Sequence, residues 1–214
     1  MGVGRLLRLY DLGKRKLLRK CENKHLPSHI STLAAIGSRI AVGDMRESVI
    51  FVKYKPATNQ LSIFADDINP RWCSALCWLD YSTVAVADRF GSIALIRLPA
   101  DVSDNVDDDP SVTRAMWDRG LLNGAASKCE VVASHFIGET VLALQKAALT
   151  PGGGDVLVYA TMAGALGVLV PFTNKEDIDF FQHLEMFMRA EAAPLLGRDH
   201  LAFRSYYFPA KVRA

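Results

Sequence analysis

The segment RIAVGDMRESVIFVKY, which begins at Arg39, returns 44 residues later as TVAVADRFGSIALIRL from Thr83. Ile40 aligns with Val84, Val42 with Val86, Asp44 with Asp88, Ser48 with Ser92 and Val52 with Ile96. Each unit runs from a β-branched apolar stretch through a short polar turn into a second apolar stretch, the pattern of a hairpin. A third copy is DVLVYATMAGALGVLVPF, Asp155 to Phe172, with Gly164 standing 73 residues beyond Gly91. The longer offset predicts an insertion between them, and the acidic, turn-rich stretch at about 101–127 is its candidate. GRLLRLYDLG at the start reads as a truncated fourth copy. Upstream of the hairpins, ISTLAAIGSRIAVGD from Ile30 matches SALCWLDYSTVAVAD from Ser74.

Four short strands in roughly 44 residues is the spacing of β-propeller blades. The expected fold is all-β: a partial WD40-like β-propeller with about four to five blades' worth of antiparallel strands and one amphipathic helix near the C-terminus. The β-branched pattern excludes a helical solenoid. Nothing helical separates the strands before residue 173, which argues against a parallel α/β sheet. Residues 1–172 are read as blades. Residues 173–214 are read as an amphipathic helix and an aromatic closing segment of the same propeller. In TNKEDIDFFQHLEMFMRAE, Thr173 and Glu176 have capping-box spacing. Ile178, Phe181, Leu184 and Met188 form a stripe widened by Phe180 and Phe187, and packing on the propeller is the expectation. Beyond Pro194 and Gly197, Phe203, Tyr206, Tyr207 and Phe208 read as an anchor, either interface residues or a strand closing the last blade.

Function must then be sought on a scaffold of this type. Half of the residues are hydrophobic and 22% are charged, with a net charge of +2, so nothing global demands nucleic acid. The charge is uneven: residues 1–25 carry eight Lys or Arg against Asp11 and Glu22, and Asp101 to Asp109 holds five aspartates. The basic segment reads as the solvated face of alternating strands, with phosphate or an acidic partner as the functional alternative. No apolar run has the length of a membrane span, and no signal-peptide core is present, so a soluble intracellular chain is expected.

Cys73 and Cys77 invite a metal or redox reading. In one regular strand they would share a face about 13 Å apart, too far to ligate one ion through bonds of about 2.3 Å. Counting back 44 residues gives His29 and Leu33, so the repeat preserves no thiol. Both are read as scaffold. GVGRLL lacks the third glycine and the preceding strand of a dinucleotide fingerprint, and PGGGD lacks a following GK[ST]. DNVDDD lacks the glycine and closing glutamate of an EF-hand. His25, His29, His135, His183 and His200 have no metal spacing, and no Gly-x-Ser-x-Gly elbow occurs. The sequence therefore offers no catalytic, cofactor-binding or metal-binding residue, and the chain reads as a non-enzyme without a cofactor.

The strings LLRLYDLGKRKLLRKCENKH, FADDINPRW, WDRGLLNGA (Trp117 to Ala125), IGETVLALQK, LVPFTNKEDIDFFQHLEM and GRDHLAFRSYYFP span Leu6 to Pro209. Together they resemble the third β-propeller of the splicing factor 3b subunit 3 family. Its superfamily includes the large subunits of the cleavage and polyadenylation factor and the damaged-DNA-binding protein. The resemblance implies a nuclear, non-enzymatic scaffold acting in pre-mRNA splicing through protein contacts in the branch-site-recognising U2 small nuclear ribonucleoprotein. It implies as partners the HEAT-repeat subunit and a small helical subunit of splicing factor 3b. Contact with RNA would be weak or indirect, and neither a membrane nor a small-molecule substrate is implied. The alternatives are a related propeller adaptor of a ubiquitin ligase, polyadenylation or histone-acetyltransferase coactivator complex, or a non-functional fragment. The family's propellers have seven blades, so 214 residues are expected to supply the C-terminal part of one.

Overall fold

The computed structural model describes residues 1–13, 15–102, 125 and 127–192. They form four small sheets in chain order. The first holds β1 (Gly2–Val3), β2 (Leu6–Leu12) and β3 (Leu17–Asn23). The second holds β4 (Ile30–Ile36), β5 (Arg39–Asp44), β6 (Ser48–Lys55) and β7 (Gln60–Asp66). The third holds β8 (Cys73–Trp78), β9 (Thr83–Asp88), β10 (Ser92–Arg97) and β12 (Glu130–Phe136), and the fourth holds β13 (Val141–Ala148), β14 (Asp155–Thr161) and β15 (Leu166–Leu169). Neighbours pair antiparallel, except that the short β11 (Ser127–Lys128) joins β7 in parallel. This is a partial, propeller-like all-β array; its described residues do not close into a ring.

The core lies between the sheets. Leu7 and Leu26 meet Val42, Ile50, Val52 and Ile63 between the first and second sheets. Ala41, Val49, Phe51 and Phe64 meet Leu76, Val84, Val86 and Ile96 between the second and third. Ala75, Ala85, Ala87 and Ile93 meet Val141 and Leu157 between the third and fourth. Adjacent residues such as Ala41 and Val42 thus serve opposite interfaces, which follows from the two-residue period of a strand. A sheet covered on both faces needs apolar residues at every position, and IAVG and VAVA supply them. Each Val or Ile sealed in this way contributes about 1.5–3 kcal/mol.

The repeated hairpins share a turn chemistry. Asp44 Oδ1 accepts from the amides of Arg46 and Glu47, and Asp88 Oδ1 from those of Phe90 and Ser92. Thr161 Oγ1 does the same for the amide of Ala165. Gly91 and Gly164, aligned by the repeat, both adopt positive φ, +93° and +89°. In the second sheet Glu47 replaces that glycine, and the left-handed residue becomes Ser48 at +80°. After each turn one amide returns to the innermost strand's approach: Met45 to the His29 carbonyl, Arg89 to that of Trp72, Met162 to that of Thr140.

The innermost strands correct the 44-residue alignment. A register shift leaves Ser31, Ser74 and Leu142 unpaired at equivalent places in β4, β8 and β13. Leu33 pairs with Val42, and Leu76 with Val86, so these strands correspond at an offset of 43. The loop from β8 to β9 is longer by two residues while β8 is shorter than β4 by one, which restores 44 from Arg39 onwards. The counterparts of Cys73 and Cys77 are therefore Ile30 and Ala34, neither of them a thiol.

The helix, α1 (Lys175–Glu191), also departs from expectation. Asn174, not Thr173, is its N-cap, with no side-chain cap hydrogen bond, although Glu176 and Asp177 lead and Arg189 trails as the helix dipole favours. None of its residues is buried, against the expectation that it packs on the blades. The physical reason is local. Among the described residues β15 has no strand on its outer edge, so none of them offers the stripe a further blade to cover. Most of the insertion expected at about 101–127 (residues 103–124 and 126) and the aromatic segment around Phe203 to Phe208 lie outside the described residues.

Candidate interaction surfaces

The cysteines and histidines do not converge. Cys73 joins the core between the second and third sheets, whereas Cys77 packs in the next core, between the third and fourth. His135 lines a cavity on β12, His183 lies on α1, and His25 and His29 sit in the loop after β3; His200 lies outside the described residues. Among the described residues no three His, Cys, Asp or Glu side chains are grouped to hold a metal ion, and no helix is long and apolar enough to cross a membrane.

A buried polar network that the repeat analysis missed lies where β7 ends. Asp67 Oδ2 accepts from Ser48 Oγ at 2.6 Å and from Arg71 Nε at 2.9 Å, and that ion pair is 0% and 4% exposed. Its neighbour Asp66 accepts from Lys128 Nζ at 2.8 Å and from the Ala125 amide at 3.1 Å, tying the return of the chain to the second sheet. Burial pushes the Asp66 carboxyl up, and Lys128 pulls it partly back. The carboxylates and Arg71 are buried and hydrogen-bonded, with Lys128 reaching in from the surface, which suits a structural latch and not a reacting centre. The signal in the sequence was an acidic pair at a strand end with Arg71 four residues beyond Asp67.

Three exposed features remain. The first is a cavity of about 540 Å³ between the third and fourth sheets, walled by Ile93, Leu95, Val132, Leu157, Leu169 and Phe172. At its rim Lys146 Nζ lies 2.7 Å from Asp155 and donates to the Leu79 carbonyl. The second is the apolar side of α1, where the Phe181 ring lies 4.9 Å from that of Phe172, and where Phe180 and Phe187 are more than 60% exposed. The cavity wall and the helix meet at Phe172, so they form one continuous apolar surface of the composition protein interfaces use.

The third is the β2–β3 hairpin. Glu22 lies opposite Arg8 and takes three cations: Arg8 Nε at 3.1 Å, Arg19 Nη1 at 3.1 Å and Lys24 Nζ at 2.9 Å. Lys24 first, and then Arg8, hold its carboxyl below the usual range. The Tyr10 phenol and then Glu22 raise Arg8, keeping it charged. On the same hairpin Lys20 Nζ is 3.3 Å from Asp11.

A family model described as the CPSF A subunit region matches residues 1–213. The chain belongs to this family. It is 60% identical over 211 residues to "Splicing factor 3B subunit 3" of Danio rerio, covering 99% of this chain and 17% of that protein. It is 56% identical over 210 residues to the Drosophila melanogaster protein of the same name, and 48% identical over 210 residues to "Pre-mRNA-splicing factor RSE1" of Mycosarcoma maydis. Each of those two matches covers 98% of this chain and 17% of the relative. The chain thus spans about one sixth of the length of the curated relatives it matches.

Proposed function

We propose that this chain is a non-enzymatic scaffold segment of splicing factor 3b, acting in pre-mRNA splicing through protein–protein contacts. Its place is the nucleus, within the branch-site-recognising U2 small nuclear ribonucleoprotein. Its partners are the HEAT-repeat subunit and the small helical subunit of the same factor. One observation carries the reading: 60% and 56% identity, over 99% and 98% of this chain, to animal proteins named for that subunit. The apolar surface running from the cavity through Phe172 onto α1 supports it, because large exposed apolar patches serve association. Residues 1–172 then act as blades, with the acidic insertion at about 101–127, and residues 173–214 as helix and closing segment of the same propeller. No residue is assigned to catalysis.

The test is affinity purification of the tagged chain from nuclear extract, with mass spectrometry of its companions and a complete third propeller as a parallel bait. Recovery of the HEAT-repeat and small helical subunits with both baits supports the reading. Cullin or polyadenylation factors in their place would overturn it.

A further inference from the structure

Of the nine prolines in the chain, Pro151 alone follows a serine or threonine. Thr150 and Pro151 stand in the hairpin loop 149–154, beyond the last β13–β14 pair, Ala148 with Asp155. Every residue from Ala148 to Asp155 is exposed. The Thr150 carbonyl accepts from the Gly153 amide at 2.9 Å, and Gly152 has a φ of +76°. Proline at the second position and a left-handed glycine at the third make this a type II turn, with Thr150 leading it. A side chain at Gly153 would collide with Thr150 Oγ1, whereas side chains at Gly152 and Gly154 would meet nothing within 4 Å. The hydroxyl therefore lies over a bare, open turn.

We propose that Thr150 is a phosphoacceptor for a proline-directed protein kinase. Such kinases take an acceptor followed by proline, a residue with no amide proton to strand in the active site. Pro151 keeps the same φ in the turn and in an extended segment, and Gly152 to Gly154 can take up either backbone. Among the described residues one backbone hydrogen bond closes the turn, so opening it for the kinase disturbs no strand pair. Thr150 Oγ1 attacks the γ-phosphorus of a nucleoside triphosphate. A new P–O bond forms, the bond to the β,γ-bridging oxygen breaks, the diphosphate leaves and the hydroxyl proton passes to a carboxylate of the kinase. The product carries about two negative charges near neutral pH. They enter the loop that leads into Asp155, which holds Lys146 at 2.7 Å on the cavity rim. Acceptor activity does not depend on what the apolar surface at Phe172 binds, so it can be absent while the nuclear-extract experiment succeeds.

Gly153 supplies no cation three positions after the acceptor, so the probe is a kinase that requires only the proline. The experiment incubates the native 214-residue chain with an activated mitogen-activated protein kinase and ATP, and reads intact mass and phosphopeptides. The expected result is one phosphate per chain, on Thr150. Thr150→Ala should abolish it, Thr150→Ser should keep it, and Pro151→Ala should remove most of it. All these substitutions fall on an exposed loop, and circular dichroism of each variant checks the fold. A peptide spanning residues 147–156 serves as the accessible reference. Phosphorylation of the peptide but not of the native chain overturns the proposal, because the loop is then closed to the kinase. Phosphate on neither also overturns it, as does an undiminished yield in Thr150→Ala or in Pro151→Ala.

Discussion

Cys73 and Cys77, four residues apart on one strand, serve opposite faces of their sheet because the unpaired Ser74 between them shifts the register. Cys73 is sealed, and burial pushes its thiol far up; Cys129 is treated in the same way. Cys77 and Cys21 are only half-buried. Alkylation of the native chain should therefore label Cys21 and Cys77 before Cys73 and Cys129, because thiolate access controls the rate. Peptide mapping after timed iodoacetamide treatment checks the order. Early labelling of Cys73 would mean that the core between the second and third sheets is open.

Ser74 also joins two sheets. Its hydroxyl lies 2.6 Å from the Val141 carbonyl in the fourth sheet and 3.2 Å from that of Ala87 in its own. Its counterpart Ser31 reaches Gly43, within its own sheet, at 3.0 Å. Ser74→Ala should cost about 1–3 kcal/mol by leaving a carbonyl between sheets unsatisfied, and Ser31→Ala about 1 kcal/mol. Urea titration of both variants measures the difference, and equal losses would refute the bridging role.

Asp67→Ala should be the more severe change. It removes the ion-pair partner of Arg71 Nε and the acceptor of Ser48 inside the core, a loss of about 3–5 kcal/mol. Thermal unfolding followed by circular dichroism would show it. A loss below about 1 kcal/mol, the range of exposed pairs, would contradict the burial described.

Asp88 sets a dependence on pH. Its Oδ2 is buried without a hydrogen-bond partner, and burial raises its carboxyl above the ordinary range. A carboxyl raised in the fold binds its proton more tightly there than in the unfolded chain. Its contribution is therefore fullest below the unfolded value and is lost as pH rises through the folded one. Asp88→Asn keeps an acceptor for the amides of Phe90 and Ser92. It should flatten the stability profile over that window. Denaturation at several pH values tests this, and parallel profiles for the two proteins would exclude it.

The hairpins were legible in the sequence because their turns repeat a local device. Asp44, Asp88 and Thr161 each accept amides from their own turn, and such contacts depend on residues within four positions. The innermost strands were less legible, since an unpaired Ser31 or Ser74 changes which side chains share a face without altering composition. The Asp67–Arg71 pair drew no reading from the sequence, because a four-residue spacing does not tell a buried ion pair from an exposed one. The apolar stripe of α1 was visible, yet periodicity says only that a face is apolar and does not say what covers it.

Among the described residues the main contacts between sheets join sequence neighbours, which gives the array a direction in unfolding as well as in space. In a nearest-neighbour stack an interior unit has two interfaces to hold it and a terminal unit has one. The second and third sheets, sealed on both sides, are the stable middle. The fourth, whose β15 has no outer partner among the described residues, is expected to open first. Amide protection should therefore fall in steps from β9 to β14 to β15, so that the surface offered to a partner is also the part of the fold that costs least to rearrange.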